Sequence, residues 1–579
     1  MKHKSFLILI ISTLVLALVV SAIARAQGST PNDVDAPVGN AFTYQGQLKD
    51  AIGPVTDSCD FQLSLWDALT NGSQVGSTLT KTNIAVSEGL FTVQLDFGAS
   101  VFNGNARWLE IAVRCPSGGG AYNTLSPRQP LSPAPYALYS ANTDTLDGQH
   151  ASAFQQHAHN LLVVAKSGGD YTTITNALNS ITDNSADNPY LIYVAPGIYN
   201  ETVTMKPYVD IEGASEQATK ITYTGSVFYS TGTVVSADNA ELRFLTVENT
   251  GGAYYSIAIC NYNTSPRLTH VSAIASGATD TTYGVFNYYS SPTMTDMTVS
   301  SSGGIVNYSV NNNYGSPKMT NVTVIASDGT SNFGVLNNSS SAVMESISIT
   351  ISGGTDNYAV NNNDSSPAMT NVIATVSGGT NSNTGIYNST SSPAMTNVIV
   401  TTSGGTYSEG VFNYTSSPTM TNVTATASGG VNNYGVWNST SSSPVLLDVT
   451  ATASGGTNSF GMFNYYCSSV ANNLRVTATG GSNNYGVWNE SSPMTIHNSV
   501  ISASGGTNDG MHNVATSGTY IININNSQIS ASTSTIYQDS HYTTQVGASQ
   551  LAGAGAFGGT YICAASYSGN FILLDNTCH

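Results

Sequence analysis

A single asparagine sets the rhythm of this chain. Asn261, Asn287, Asn312, Asn337, Asn362, Asn388, Asn413, Asn438, Asn464, Asn489 and Asn513 follow one another at steps of 24 to 26 residues. So regular a period means stacked copies of one supersecondary unit. Twenty-five residues make one three-sided coil of a parallel β-solenoid and are too few for two helices with their turns.

The residues around each asparagine separate inside from outside. Two places before it stand Ile259, Val285, Val310, Val335, Val360, Ile386, Val411, Val436, Met462, Val487 and Met511, a column that is never polar and must face a core. A second apolar column runs Met294, Met319, Met344, Met369, Met395, Met420 and Leu446, and a third runs Met297, Val322, Ile347, Val372, Val398, Val423 and Val449. Two residues separate the last two columns, mostly Thr and then Asn or Asp. They break the alternation and predict a bend between two faces. The SGG or SDG that follows gives the backbone freedom for the next turn. An amide repeating once per coil, at Asn287, Asn312, Asn337, Asn362, Asn388, Asn413, Asn438, Asn464 and Asn489, predicts a structural ladder hydrogen-bonded along the axis.

The residue just before the ladder asparagine is aromatic for five successive coils: Tyr387, Phe412, Trp437, Phe463 and Trp488. Alternation points it outward, as a stripe about 20 Å long at ~4.8 Å per coil. Such a stripe is a candidate carbohydrate-binding surface. The plainer alternative is that the rings stack on one another and cover the solenoid backbone.

Composition narrows the partners. The chain has a net charge of −18 and only 8% charged residues, which disfavours nucleic acid and anionic lipid. Residues 1–26 read as a signal peptide, with Lys2 and Lys4, an apolar run from Phe6 to Val20, and Ala24-Arg25-Ala26 as the cleavage site. No later segment is apolar enough to span a bilayer. A secreted or cell-surface protein, bacterial in texture, follows. Residues 27–40 form a lead-in. Residues 41–140 are expected to be a β-sandwich-like module, because FQLSLWD (61–67), GLFTVQLDF (89–97) and RWLEIAVRC (107–115) alternate between turn residues. Residues 141–162 form a linker, and 163–579 the solenoid, with regular repeats over 255–515 and a cap over 516–579. Cys59 with Cys115, and Cys563 with Cys578, are candidate disulfides. Cys260 and Cys467 stand eight coils apart, about 38 Å, and should be free and buried.

Three resemblances sharpen this picture. VVAKSGGDYTTITNALNSI (163–181) and YLIYVAPGIYNETVTMKPYVDIEGAS (190–215) resemble the opening of pectinesterases and related right-handed parallel β-helix proteins, with Gly197 to Glu201 matching the family's G-x-Y-x-E element. The resemblance implies an all-β, pectin lyase-like fold with a short helix at about 173–182 capping the core. It also implies catalytic segments of the patterns Q-D-T-L, D-F-I-F-G and L-G-R-P-W. None of them occurs, and the polygalacturonase pattern is missing too. Pectate-lyase chemistry needs clustered carboxylates for calcium and a basic residue, whereas the acids of the repeats are sparse and scattered within the coil. The 41–140 module, for its part, resembles one that precedes repeat or fibre domains in exported bacterial proteins. His157 and His159, with His150 upstream, resemble the H-x-H segments of trimeric phage fibres, where a metal can sit on the fibre axis. Two ligands alone make no site, so no metal and no cofactor are expected.

The sequence therefore predicts an exported structural or adhesive β-helix protein, monomeric or trimeric, that binds carbohydrate or another surface and is not an enzyme. The alternatives are a polysaccharide-active lyase, esterase or hydrolase of the pectin lyase-like class, and a trimeric fibre. The enzyme alternative needs an acidic pair and a basic residue to converge, with Asp210, Glu212 and Arg243 as the place to look.

Overall fold

The computed structural model describes residues 41–98, 101–102, 105–131, 160–224, 228, 230–252 and 254–579, with backbone alone at 145–146 and 149–150. The expected signal peptide, the lead-in, and His157 and His159 of the linker lie outside the described residues. The chain divides into two units, Met1–Gln155 and Gln156–His579.

In the first unit, strands Gln74–Val86, Asp57–Trp66, Arg107–Arg114 and Asn123–Thr124 lie side by side in an antiparallel sheet, with Gln129–Leu131 also pairing to Arg107–Arg114. Phe42–Gln47 and Leu90–Leu95 form a second, two-stranded sheet. The alternation read from the sequence sends Phe61, Leu63, Leu65, Phe91, Val93, Leu95, Leu109 and Ile111 into one shared core. Phe61 stacks on Phe91 with 4.3 Å between ring centres. Cys59 and Cys115 are bonded at 1.97 Å. Next to them Asp60 is buried, and Ser117, the backbone N–H groups of Asn83 and Gly118, and Arg114 all donate to it. These donors hold its carboxyl well below the usual carboxylate range.

The second unit is a right-handed parallel β-solenoid of about 14 turns of about 25 residues. Its strands form two parallel sheets, of 27 and 15 strands among the described residues. Each coil of the repeat gives one eight-residue strand to the smaller sheet, as in Asn432–Ser439. It gives the larger sheet a chain that rounds a bend, as in Thr419–Ser428. The bend is where Thr-Asn predicted it. Asn371 (φ 55°), Asn397 (φ 55°), Asn422 (φ 52°) and Asp448 (φ 56°) are left-handed there, a conformation Asn and Asp tolerate because their short side chains bond locally. The Met294, Met319, Met344, Met369 and Met420 side chains flank the bend and are fully buried, as is the valine column that includes Val436.

The asparagine column forms a continuous chain of amides. Asn362 Nδ2 donates to Asn388 Oδ1 at 2.8 Å and Asn388 Nδ2 to Asn413 Oδ1 at 2.8 Å; the same bond recurs from Asn261 through Asn513. All the donors point the same way along the axis. Only the ends are left over: Asn261 Oδ1 and Asn513 Nδ2 are buried and have no partner. The sequence reading missed a second inner ladder, Asn307 to Asn332 (2.8 Å), Asn357 (2.9 Å) and Asn383 (3.0 Å). Its column alternates with serine further along, at Ser408 and Ser459, which hid the period.

Helix Ile174–Ser180 closes the first coils, starting one residue later and ending two earlier than the sequence suggested, with Thr173 as its N-cap. At the far end Cys563 and Cys578 are bonded and 15 residues apart. Cys260 and Cys467 are buried and in no disulfide, and burial pushes their thiols up to about 12 and about 11. No helix among the described residues is long and apolar enough to cross a membrane.

Candidate functional site

The chemistry converges on the outer face of the early coils. Strands Val209–Gly213, Glu241–Asn249 and Arg267–Ser276 lie side by side in parallel register, with Glu212 opposite Arg243, Arg243 opposite Thr269, and Glu241 opposite Arg267. Ile211, Leu242 and Leu268 point inward and are fully buried, so the alternate positions Asp210, Glu212, Glu241, Arg243 and Arg267 point outward. Arg243 gathers three carboxylates, Glu212 at 2.8 Å, Glu241 at 2.9 Å and Asp210 at 3.4 Å. Arg267 adds a second guanidinium, 3.3 Å from Glu241, and the Thr269 hydroxyl donates to Glu241 at 2.7 Å. The Glu241 backbone N–H donates to Asp210 at 2.8 Å.

The charges set one another. Burial pushes the Glu241 carboxyl up, but the Thr269 hydroxyl, Arg243 and Arg267 together hold it below its ordinary value. Burial likewise pushes Arg243 down, and Glu212, Glu241 and Asp210 more than reverse this. Glu212 is the most open of the three carboxylates at 29% exposure, against 15% for Glu241 and 8% for Asp210.

An aromatic pair borders the cluster at the bend. Phe244 (φ 56°) and His270 (φ 51°) occupy the left-handed positions that Asn or Asp takes in most later coils. Their rings stack at 5.1 Å, and His270 Nε2 lies 3.5 Å from Asp296 Oδ2. Bulky residues adopt this conformation rarely, at a cost on the order of 1–3 kcal/mol, and such strain concentrates at functional sites. Of this group the sequence reading singled out Asp210, Glu212 and Arg243, which the structure brings together. It missed Glu241, Arg267, Phe244 and His270. The alternation of 241 with 243 carries a signal for Glu241. Phe244 and His270 could be found only by extending the bend column backward.

The G-x-Y-x-E element serves the fold. Tyr199 is buried and its hydroxyl donates to the Ala195 carbonyl at 2.9 Å. The Glu201 carboxylate accepts from the N–H groups of Ile174 (2.9 Å) and Thr175 (2.8 Å) and from the Thr175 hydroxyl (2.6 Å), holding the helix start against the first coils.

Two aromatic columns run side by side ahead of the ladder asparagine. Tyr387, Phe412, Trp437, Phe463 and Trp488 are half-buried. Beside them runs a column the sequence reading left unassigned: Tyr283, Tyr308, Phe333 and Tyr358, then Tyr434, Phe460 and Tyr485 after a two-coil gap. Phe412 stacks on Trp437 at 4.2 Å, Tyr434 on Trp437 at 4.7 Å and Tyr434 on Phe460 at 4.9 Å, so much of each ring face is spent on another ring. The gap holds Thr384 and Glu409. Glu409 is buried, accepts from the Thr384 hydroxyl at 2.7 Å, and burial pushes its carboxyl up to about 7.

Comparison with known proteins bears on the early coils. Residues 160–295 match the family model described as Pectinesterase, and residues 43–128 match a domain of unknown function. A curated relative, "Probable pectinesterase 49" of Arabidopsis thaliana, is 36% identical over 102 residues, covering 17% of this chain and 27% of its own length. The chain thus spans about a quarter of that relative. Among solved structures, the pectin methylesterase from carrot (15% identity, TM-score 0.28) covers 42% of this chain and 83% of its own. The one from Aspergillus niger (17% identity, TM-score 0.30) covers 37% and 77%. The A-module of a mannuronan C-5 epimerase from Azotobacter vinelandii (14% identity, TM-score 0.23) covers 68% and 92%. At those scores the fold rests on the strand register itself. The expectation that the chain is not an enzyme is corrected by the Pectinesterase family match over residues 160–295 and by the curated pectinesterase relative. That expectation rested on missing catalytic segments, whereas the likeness lies in the first coils.

Proposed function

We propose that this pectin lyase-like parallel β-helix protein is a polysaccharide-active esterase, working outside the cell at the Arg243 cluster on esters of a pectin-type uronan. The observation that supports this reading is the outward guanidinium with three carboxylates, which falls inside the pectinesterase-matched residues. Water activated by Glu212 adds to the ester carbonyl. Glu212 takes one proton of that water, and the oxyanion forms beside Arg243. Its collapse breaks the C–O bond as Glu212 returns the proton to the leaving oxygen, releasing the alcohol and leaving a carboxylic acid on the polymer. Glu241 and Asp210 keep Arg243 in place. The net charge of −18 fits this direction of reaction, because an esterified uronan arrives neutral and its anionic product is repelled.

Arg243→Ala and Glu212→Gln are each expected to lower alcohol release from esterified pectin by about 100-fold or more, the usual contribution of a positioned acid–base group, with the β-rich circular dichroism unchanged. Turnover that survives in both folded variants would rule the cluster out.

A second reading, carbohydrate binding along Tyr387 to Trp488, draws on the half-exposed rings of that column. On this reading Trp437→Ala with Trp488→Ala weakens retention on a pectin affinity gel. Unchanged retention leaves those rings as scaffold.

A further inference from the structure

A regular surface of the solenoid lies beyond the bend, and the esterase reading makes no use of it. There the outward positions of the larger sheet fall into straight ranks. One rank holds Thr350, Thr375, Thr401, Thr426, Thr452 and Thr477, each paired directly with the next in parallel register. Two residues earlier in each strand a flanking rank holds Ile373, Ile399, Thr424 and Thr450. Two residues later a third is serine from Ser352 through Ser454. The intervening residues Val400, Ala425 and Ala451 are fully buried, so the ranks stand on a close-packed core that fixes their spacing.

The result is a grid of hydroxyl and methyl groups repeating every ~4.8 Å along the axis and every ~6.7 Å along the strand. From Thr323 to Thr479 these three ranks carry one charge, Arg475, in a chain whose net charge is −18. A neutral face calls for a neutral ligand. A dissolved glycan or peptide repeats in one direction only and can follow one rank. To meet all three ranks at once a ligand must repeat in two directions, which is the property of a crystal surface. Threonine hydroxyls hold water by donating and accepting, while the methyls beside them restrict where that water can sit. Both repeats of the grid lie close to in-plane repeats of the water lattice in ice. We propose that this threonine face binds ice.

The test uses the full chain, labelled fluorescently, partitioned between a slowly growing ice front and the liquid, with recrystallisation of a frozen sucrose film as second readout. The protein is expected to enter the ice and to arrest crystal coarsening. Thr401→Tyr combined with Thr426→Tyr raises bulk above the grid and is expected to return the protein to the liquid. Val431→Tyr, at an exposed residue off the grid, is expected to leave partition unchanged. Thr401→Val with Thr426→Val keeps the shape and serves if the tyrosine pair disturbs folding, with partial loss of partition expected. Exclusion of the natural chain from ice overturns the proposal. So does ice partition that none of the threonine changes reduces in folded protein. Threonine-dependent sedimentation with microcrystalline cellulose or chitin, without ice partition, would give the face to a crystalline polysaccharide instead. Ester hydrolysis is read separately and is expected to be the same in every variant.

Discussion

Asn388→Leu, a substitution of similar volume in the middle of the amide ladder, is expected to destabilise the solenoid by about 2–6 kcal/mol. Asn362 donates to Asn388 at 2.8 Å, and Asn388 donates to Asn413 at 2.8 Å, all three side chains being fully buried. Leucine leaves the Asn362 donor and the Asn413 acceptor buried and unpaired, at about 1–3 kcal/mol for each. Coils contact mainly their neighbours, so the loss should appear as local opening in amide hydrogen exchange around residues 362–413 as well as in urea unfolding. A matched control is Asn397→Gly. Asn397 sits in the exposed bend column at φ 55°, where glycine needs no strain, and its only neighbouring side-chain bonds are on the surface. That change should stay within about 0.5 kcal/mol. Equal effects from the two substitutions would show that the inner ladder does not carry the coil.

The second large effect depends on pH. Glu409 lies in the two-coil gap of the aromatic column and its carboxyl is pushed up from 4.5 to about 7 by burial, with the Thr384 hydroxyl only partly offsetting this. Below pH 4.5 the group is protonated in both the folded and the unfolded chain and costs nothing. As pH rises from 4.5 to 7 the unfolded chain releases the proton while the folded chain keeps it, so stability falls through this window and levels off above it. The difference corresponds to about 3 kcal/mol. Glu409→Gln keeps an acceptor for Thr384 and cannot ionise. It should therefore match the natural chain at pH 4 and exceed it by about that amount at pH 8, measured as the midpoint of denaturant unfolding. The groups facing Glu409 are Thr384, Tyr358 and Tyr434, none of them cationic, so nothing nearby would stabilise the ionised form. A midpoint difference independent of pH would contradict this picture.

Much of the solenoid was legible because its physics is periodic. Alternation gave Val436 to the core, the 25-residue step gave Asn438 to a ladder, and Thr-Asn marked a bend that proved to be left-handed. Asp210, Glu212 and Arg243, named as the place for an acidic pair and a basic residue to converge, do come together. Alternation failed where the pleat is interrupted. Pairing between neighbouring strands skips Gly435, so Tyr434 and Trp437, three residues apart, lie on one side with their rings 4.7 Å apart. A built Cβ at Gly435 would stand 2.5 Å from the Gly461 carbonyl oxygen, which is why the position is glycine. Phe244 and His270 escaped because they break the Asn and Asp pattern of the bend, and it is that departure that makes them conspicuous in three dimensions. Catalytic strings are a poor guide here, because neighbouring coils bring carboxylates and guanidiniums together from segments that share no motif.

The amide ladder leaves one orphan acceptor at Asn261 and one orphan donor at Asn513. Every unit between them satisfies its neighbour, so the unsatisfied groups are two however many coils intervene. Duplicating or excising one 25-residue unit reproduces both ends unchanged and adds or removes a single closed link. The cost of the ladder's unpaired ends is thus the same for a short stack as for a long one, while each further coil adds its own closed amide bond and its own interface.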